Sequence, residues 1–222
     1  MFDFFSKEDK QLYNMLGHLN MAEKEISLKD NSETEIYEVA GPDDKYAFLH
    51  EAAIIEYHGT LFAAWYNCEE KELIGPTPIR QKRSKDGGKT WSDIETIAED
   101  QTGKILFCPP VYGICEDKLY MLINEMVSAD HIHALDLYVF QEEKDCFEFL
   151  WSKPIPFKLN TNVYKMANGK LLLPGRIAEL DGFPNTPAVL ISDSGKIDEY
   201  IFRKMETYLM VLSWYIRKLP QS

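Results

Sequence analysis

The sequence predicts an all-β chain with a β-propeller fold, of which it carries about three four-stranded blades. Three observations predict this. First, stretches such as Leu135-Asp136-Leu137-Tyr138-Val139-Phe140 alternate with a period of two, as half-buried strands do. Second, one hairpin grammar recurs. Residues 50–67 read as strand, His58-Gly59 turn, strand; residues 109–125 repeat this around Glu116-Asp117, and residues 160–176 around Asn168-Gly169. The turns at 59, 117 and 169 are 58 and then 52 residues apart, close to the ~40–50-residue repeats of propeller blades. Third, residues 84–91, Ser-Lys-Asp-Gly-Gly-Lys-Thr-Trp, read as a hairpin turn with its own lock. Asp86 can accept from turn N–H groups, Gly87 and Gly88 tolerate positive φ, Ser84 and Thr90 add hydroxyls, and Trp91 is an apolar anchor.

Each hairpin is followed by an outer strand pair. The first pair is 78–84 and 92–98, joined by the locked octapeptide. The second is 134–141 and 146–151, joined by a charged turn at 142–145. The third is 186–192 and 197–202, joined by Asp193-Ser194-Gly195-Lys196, a worn copy of the octapeptide that keeps Ser192 and Gly195. The chain therefore divides into an N-terminal segment (1–45), the blades (46–203) and an atypical tail (204–222). The first segment holds one or two strands, at 24–28 and 35–40, after a helical start. The tail carries a crowded apolar run at 209–216, read as a short helix or a strand of an unfinished blade. A closed propeller needs ~4–8 blades, so the expectation is a fragment, or the product of a truncated or frameshifted gene.

Composition excludes several functions. The chain has 222 residues, 45% hydrophobic and 27% charged, enough for a sizeable core. A net charge of -12 leaves no basic excess to neutralise phosphates, so no nucleic-acid partner is expected. No run approaches ~18 apolar residues, so no membrane span is expected. Residues 1–10 carry acids early and lack a long apolar stretch, which is not a secretory signal; the expected location is cytoplasmic, with secretion open if the N-terminus is incomplete. Cys68, Cys108, Cys115 and Cys146 lack zinc spacing and lie beside apolar runs, so buried free thiols are expected. His131 and His133 share a face at strand spacing but no carboxylate or Cys spacing accompanies them, so no metal site is expected. Nothing resembles a phosphate loop, a nucleotide fingerprint or a GxSxG elbow, and no cofactor is expected.

In a radial blade, the starts of first strands and the second-to-third loops share one face. The other two turns lie on the opposite face. The first face gathers His50, Glu51, Tyr66, Asn67 and Glu69 from blade one. Blade two adds Cys108, Asn124, Glu125, Asp130, His131 and His133, and blade three adds Asn160, Asn162 and Arg176. Such polar crowding at one rim of a stacked core reads as a ligand surface. His50 is a candidate general base or sugar ligand, or a structural histidine. Glu51 follows it and points to the opposite side of the strand. Arg176 follows Pro-Gly at a strand end, which favours ligand contact over a solvated surface charge. Asn124-Glu125 and Asn160-x-Asn162 can bind hydroxyls or satisfy strand-end turns, and Asn67 is a secondary candidate.

The octapeptide pattern Ser84-x-Asp86-x-Gly88-x-Thr90-Trp91 resembles the Asp box of the sialidase-like BNR-repeat β-propellers. The resemblance covers roughly residues 45–203 and includes the run 48–67. It also includes Asn-Gly-Lys-Leu-Leu-Leu-Pro-Gly-Arg within 160–176, which looks like that family's third-blade hairpin. It implies a six-bladed propeller with the box on the face away from the chemistry, and an exo-sialidase-like glycoside hydrolase acting on terminal sugars of glycans. The implied machinery is a Tyr nucleophile with an assisting Glu, an Asp acid/base, and an Arg triad on the sugar carboxylate. Arg176 matches one member of that triad, with Arg80 a second choice. The sequence departs from the pattern at the first blade, where Phe48-Leu49-His50-Glu51 stands in place of Phe/Tyr-Arg-Ile-Pro. No Asp occupies the following loop, and Glu51, Glu69 and Glu70 are the nearest carboxylates. His50, Glu51 and Glu69 are thus the catalytic candidates, and Arg176, Asn67, Arg80, Glu125 and Asn162 the substrate-binding ones. Two other readings stay open: a non-catalytic carbohydrate-binding or protein-interaction propeller, and a propeller-fold polysaccharide lyase with His50 as base and a Tyr as acid.

Overall fold

The computed structural model describes residues 35–128, 131–177, 186–199 and 201–204. The chain divides into two compact units, residues 1–37 and 38–222. The second unit is all-β among its described residues, with strands in three antiparallel sheets. The first sheet contains β1 (Phe48–Tyr57), β2 (Thr60–Cys68), β3 (Ile79–Ser84) and β4 (Glu95–Ala98), in that order. The second contains β5 (Leu106–Cys115), β6 (Lys118–Ser128), β7 (His131–Gln141) and β8 (Cys146–Lys153), again in order. The third pairs β10 (Tyr164–Lys165), β11 (Leu171–Ile177), β12 (Thr186–Ser192) and β13 (Ile201–Lys204), with β9 (Phe157–Leu159) also on β11. These are the three meandering blades that the repeat spacing predicts.

Turn chemistry fixes the register. Tyr57 pairs with Thr60 across His58-Gly59, and both turn residues have positive φ (48° and 75°). Cys115 pairs with Lys118 across Glu116-Asp117, also at positive φ (49° and 58°). Two-residue loops of this kind match the twist of the strands they join. The octapeptide joins β3 to β4 as a locked turn. Ser84 Oγ accepts from the Gly88 N–H at 2.8 Å and donates to Asp86 Oδ1 at 2.8 Å. The Asp86 carboxylate accepts from the Thr90 N–H at 2.9 Å and from the Thr90 hydroxyl at 2.7 Å. These hydrogen bonds, the Thr90 N–H foremost, pull the Asp86 carboxyl down to about 2. By strand order, this turn lies at the end of the blade opposite to the starts of the innermost strands.

Two cores hold the blades in sequence. One lies between the first and second sheets and includes Phe62, Tyr112, Met121 and Ile123, with Phe140 and Phe147 packed against it. The Phe62 and Phe140 rings meet edge to face at 5.1 Å between centroids. The other lies between the second and third sheets, around Leu122, Leu135, Leu137, Phe157 and Leu173. The second sheet is covered on both sides, so β6 buries Met121, Leu122 and Ile123 in succession instead of alternating.

Some expectations are corrected. Residues 35–40 form no strand. The fourth strand of blade three starts at Ile201 and not at 197, because a turn around Gly195 (φ 78°) takes residues 193–195 and the chain stays irregular to 199. The innermost strand of that blade is split: β9 precedes the predicted hairpin and residues 160–163 leave the ladder. Cys68, Cys108 and Cys115 are buried free thiols, but Cys146 opens the outermost strand of its blade and is exposed. The strand at 24–28, the helical start, Asp130 and the apolar run at 209–216 lie outside the described residues.

Candidate functional site

All three innermost strands are interrupted near the same end. The β1–β2 register shifts between His50 and Ala53, which frees Glu51 and Ala52. The β5–β6 register shifts between Phe107 and Pro110, at a cis Cys108–Pro109 bond. In the third blade residues 160–163 separate β9 from β10. Such bulges re-aim side chains, and they recur next to binding sites. Glu51 itself sits at φ 47°, a left-handed conformation that costs a non-glycine residue about 1 kcal/mol.

The interruptions open onto a cleft of about 420 Å³ lined by Glu51, Ala52, Ile54, Pro109, Asn160 and Tyr164, so that all three blades contribute. A second cleft of about 480 Å³ lies along β1 and β2, with Leu49, His50, Glu51, Ala63 and Trp65 in its wall. Glu51 lines both.

A polar network spans the first two blades here. His50 Nδ1 lies 3.0 Å from the Tyr66 hydroxyl, which donates to Glu72 Oε1 at 3.3 Å. His50 Nδ1 is also 3.6 Å from Glu72 Oε1, and both side chains are about half exposed (49% and 53%). With Tyr66 donating to Glu72, the consistent tautomer places the imidazole proton on Nδ1, directed at the phenol oxygen. The Cys108 thiol donates to Glu51 Oε2 at 3.0 Å and lies within hydrogen-bonding reach of Tyr66. Burial pushes both the Tyr66 phenol and the Cys108 thiol far above their ordinary values. The carboxylates of Glu51 and Glu72 push the phenol further, and Glu51 pushes the thiol. Both groups are therefore neutral donors at physiological pH. They orient two carboxylates, and neither supplies an anionic nucleophile in this state. The Lys158 ammonium opposes the upward push on Cys108, so the third blade also reaches this network.

The predicted site residues separate into two groups. His50 and Glu51 line the clefts, and Asn162 lines the three-blade cleft. Arg176 is not in that lining itself; its Nη1 lies 3.4 Å from Oδ1 of Asn160, which lines the cleft. Glu69, Asn67, Arg80 and Glu125 are engaged elsewhere. Glu69 is exposed, with its carboxylate beside Gly75, and Glu72 takes the place near His50. Asn67 is 2% exposed and accepts from Trp65 Nε1 at 2.9 Å. Arg80 is paired with Asp43 at 2.6 Å and stacked 4.2 Å from the Tyr46 ring centroid. Asn162 is a clamp: its amide donates to Ile54 O at 2.8 Å and accepts from the Tyr112 N–H at 2.8 Å, which ties all three inner strands together. Asn124 does the same between blades two and three, through Phe157 O and Leu159 N. Glu125 is half-buried beside Asp136, whose carboxyl is driven up to about 7 by burial and by the Glu125 charge, against a hydrogen bond from Ser152. His131 and His133 are exposed. No group of three or more His, Cys, Asp or Glu is placed to hold a metal ion among the described residues. Glu72 and Lys158 escaped sequence reasoning because neither falls on a strand start or a motif.

No family model matches the sequence, and no curated protein does. Solved structures match the fold. The Hadza microbial sialidase Hz136 superposes with a TM-score of 0.59 at 11% identity, over 72% of this chain and 38% of that one. Trypanosoma rangeli sialidase in complex with sialic acid gives 0.50 at 16% identity, over 78% and 33%. The GH43 endo-arabinanase from Bacillus licheniformis gives 0.50 at 13% identity, over 68% and 53%. The chain spans about a third of the length of the two sialidases. The fold is that of the β-propeller glycosidases, and the described residues form three of its blades.

Proposed function

We propose that this chain is part of a glycoside hydrolase of the sialidase-like, Asp-box kind, acting on terminal sugars of glycans at the rim where the three inner strands are interrupted. The observation that carries the reading is Glu51. It sits in a strained left-handed bulge, lines both clefts, and is held by a neutral thiol. Backbone strain of this kind concentrates at functional sites. The locked turn at 84–91 has the hydrogen bonding expected of an Asp box and lies at the other end of the blade, which agrees with the placement the resemblance implies.

In this reading Glu51 supplies the carboxylate that meets the positive charge developing at the anomeric carbon, and His50 exchanges a proton with the leaving oxygen. Tyr66 and Cys108 are positioning residues: the buried phenol accepts from His50 and the buried thiol donates to Glu51. Arg176, in contact with the cleft residue Asn160, is the substrate-binding cation of this reading. Incubation with 4-methylumbelliferyl glycosides, the sialoside first, tests the reading. Fluorophore release is expected. Absence of release from every terminal glycoside, with retained glycan binding, would instead identify a carbohydrate-binding propeller.

One observation favours a second reading. A protonated phenol 3.0 Å from an imidazole is an acid and base pair in contact. A polysaccharide lyase with His50 as base and Tyr66 as acid would use that pair. A rise in ultraviolet absorbance on incubation with uronic-acid polymers would select this reading, and a flat trace would remove it.

A further inference from the structure

Tyr164 opens β10 on the wall of the three-blade cleft and is 52% exposed. A single exposed ring on an open surface needs no explanation. This one is set in a concavity of about 420 Å³, together with the apolar Ala52, Ile54 and Pro109 and the polar Glu51 and Asn160. Apolar walls with a few polar groups, at that volume, are the make-up of a small-molecule site.

The chain around the ring is anchored on two neighbouring inner strands. The Asn162 amide donates to Ile54 O of β1 and accepts from the Tyr112 N–H of β5, both at 2.8 Å. The Val163 N–H donates to Tyr112 O at 2.8 Å. The Val163 side chain packs on the core between the second and third sheets and lies over Gly113, where any Cβ would come within 2.8 Å of it. Successive side chains of an extended chain point to opposite sides, so drawing Val163 inward turns Tyr164 outward to the cleft. A ring held in place before the ligand arrives loses little freedom on binding.

The face of an aromatic ring carries partial negative charge. One face of a pyranose is made of C–H groups, which are apolar and weakly positive, and its hydroxyls lie at the edge. The cleft presents the complement. Tyr164 offers the ring, Ile54 and Pro109 offer apolar floor, and Asn160 offers an amide that both donates and accepts. The Glu51 carboxylate favours a neutral sugar over an anionic one at this position. We infer that Tyr164 is a stacking platform for a neutral pyranose unit of a glycan, and that Asn160 binds the hydroxyls of that unit. The inference rests on the reading of the rim as a glycan site, and adds that the sugar beside the bond facing Glu51 is itself recognised.

Calorimetric titration of the full chain with two probes tests it. Methyl β-galactopyranoside gathers several C–H groups on one ring face, whereas mannitol is an acyclic polyol with hydroxyls and no ring face. The pyranoside is expected to bind and mannitol to be inert. Affinity for the pyranoside should fall about tenfold in Tyr164→Ala and Tyr164→Leu and stay within about twofold in Tyr164→Phe. Tyr164→Leu keeps apolar bulk on β10 and covers the case of a folding defect in the alanine variant. Asn160→Ala should weaken binding to a smaller extent. Binding that depends on Tyr164, with no glycoside hydrolysed, would keep the platform and remove the hydrolase reading. Glycoside hydrolysis with equal pyranoside binding by the unaltered chain and Tyr164→Leu would keep the hydrolase reading and overturn the platform. Mannitol binding as tightly as the pyranoside, or no binding of either, would overturn it as well.

Discussion

Replacing Asp136 by Asn should change how stability depends on pH, by an amount the structure sets. Asp136 lies on β7, opposite Ile123 of β6 and Ser152 of β8, and is 2% exposed. Glu125 sits diagonally from it on the same sheet face, toward the first blade, and Tyr138 is the next residue of β7 on that face. Burial comes first and the Glu125 charge adds to it, so the folded carboxyl holds its proton up to about 7, whereas the unfolded one releases it near 3.8. Between those values the folded state binds more protons, so stability falls as pH rises and levels off above about 7. The whole window corresponds to about 4 kcal/mol, of which about 2.5 kcal/mol lies between pH 5 and pH 8. The amide introduced by Asp136→Asn cannot titrate. Urea unfolding of both proteins at pH 5, 6, 7 and 8 should show the unaltered chain losing about 2.5 kcal/mol relative to Asp136→Asn across the series. Contributions from groups that do not face Asp136, His58 included, are common to both proteins and cancel. A stability difference that stays constant from pH 5 to pH 8 would refute the raised Asp136 carboxyl.

Further expectations concern the scaffold. Asn162→Ala removes two hydrogen bonds that join blades through Ile54 O and Tyr112 N, and should cost about 1–2 kcal/mol in urea unfolding, because the Tyr112 N–H is left unpaired in a buried place while the exposed Ile54 carbonyl turns to water. A cost within error of zero would show that the clamp is dispensable. Gly175→Ala would place a Cβ 2.3 Å from the Lys158 carbonyl oxygen, a backbone atom that cannot move aside, and should abolish soluble folded protein; normal yield and melting would contradict the β9–β11 geometry. The depressed Asp86 carboxyl stabilises the fold above its unfolded value, and that contribution is lost as pH falls toward about 2. The urea midpoint of Asp86→Asn should therefore lie below that of the unaltered chain at pH 7 and converge with it in acid.

Much of the scaffold was legible in the sequence, because blades are written locally. The turns at His58-Gly59 and Glu116-Asp117 and the octapeptide at 84–91 each specify their hairpin through neighbouring residues, and β12 lies where its alternation placed it. Where an element depends on distant partners, sequence reasoning lost it. β9 is three residues long and exists because β11 and the Asn124 amide receive it. The site divides in the same way. Strand-start position pointed to His50 and Glu51, which line the clefts, and the Pro-Gly-Arg ending pointed to Arg176, which contacts the cleft residue Asn160. Asn67, Asn162 and Arg80 read as ligand-binding types, but their polar groups are consumed by Trp65, by two backbone groups and by Asp43, choices that only packing reveals. Glu72 comes to His50 from a loop, and the charge of Lys158 acts on Cys108 from a fragment of strand, without periodicity or motif to mark either.

The central claim is that the carboxylate of Glu51 acts on a glycosidic bond at the three-blade rim. It is tested most directly by the hydrolysis of a 4-methylumbelliferyl sialoside by the unaltered chain and by Glu51→Gln, prepared with matched urea midpoints. The account predicts turnover by the unaltered chain and a kcat lower by about 100-fold or more in the variant, the size expected when a positioned carboxylate is neutralised. Equal turnover by the two proteins would contradict it.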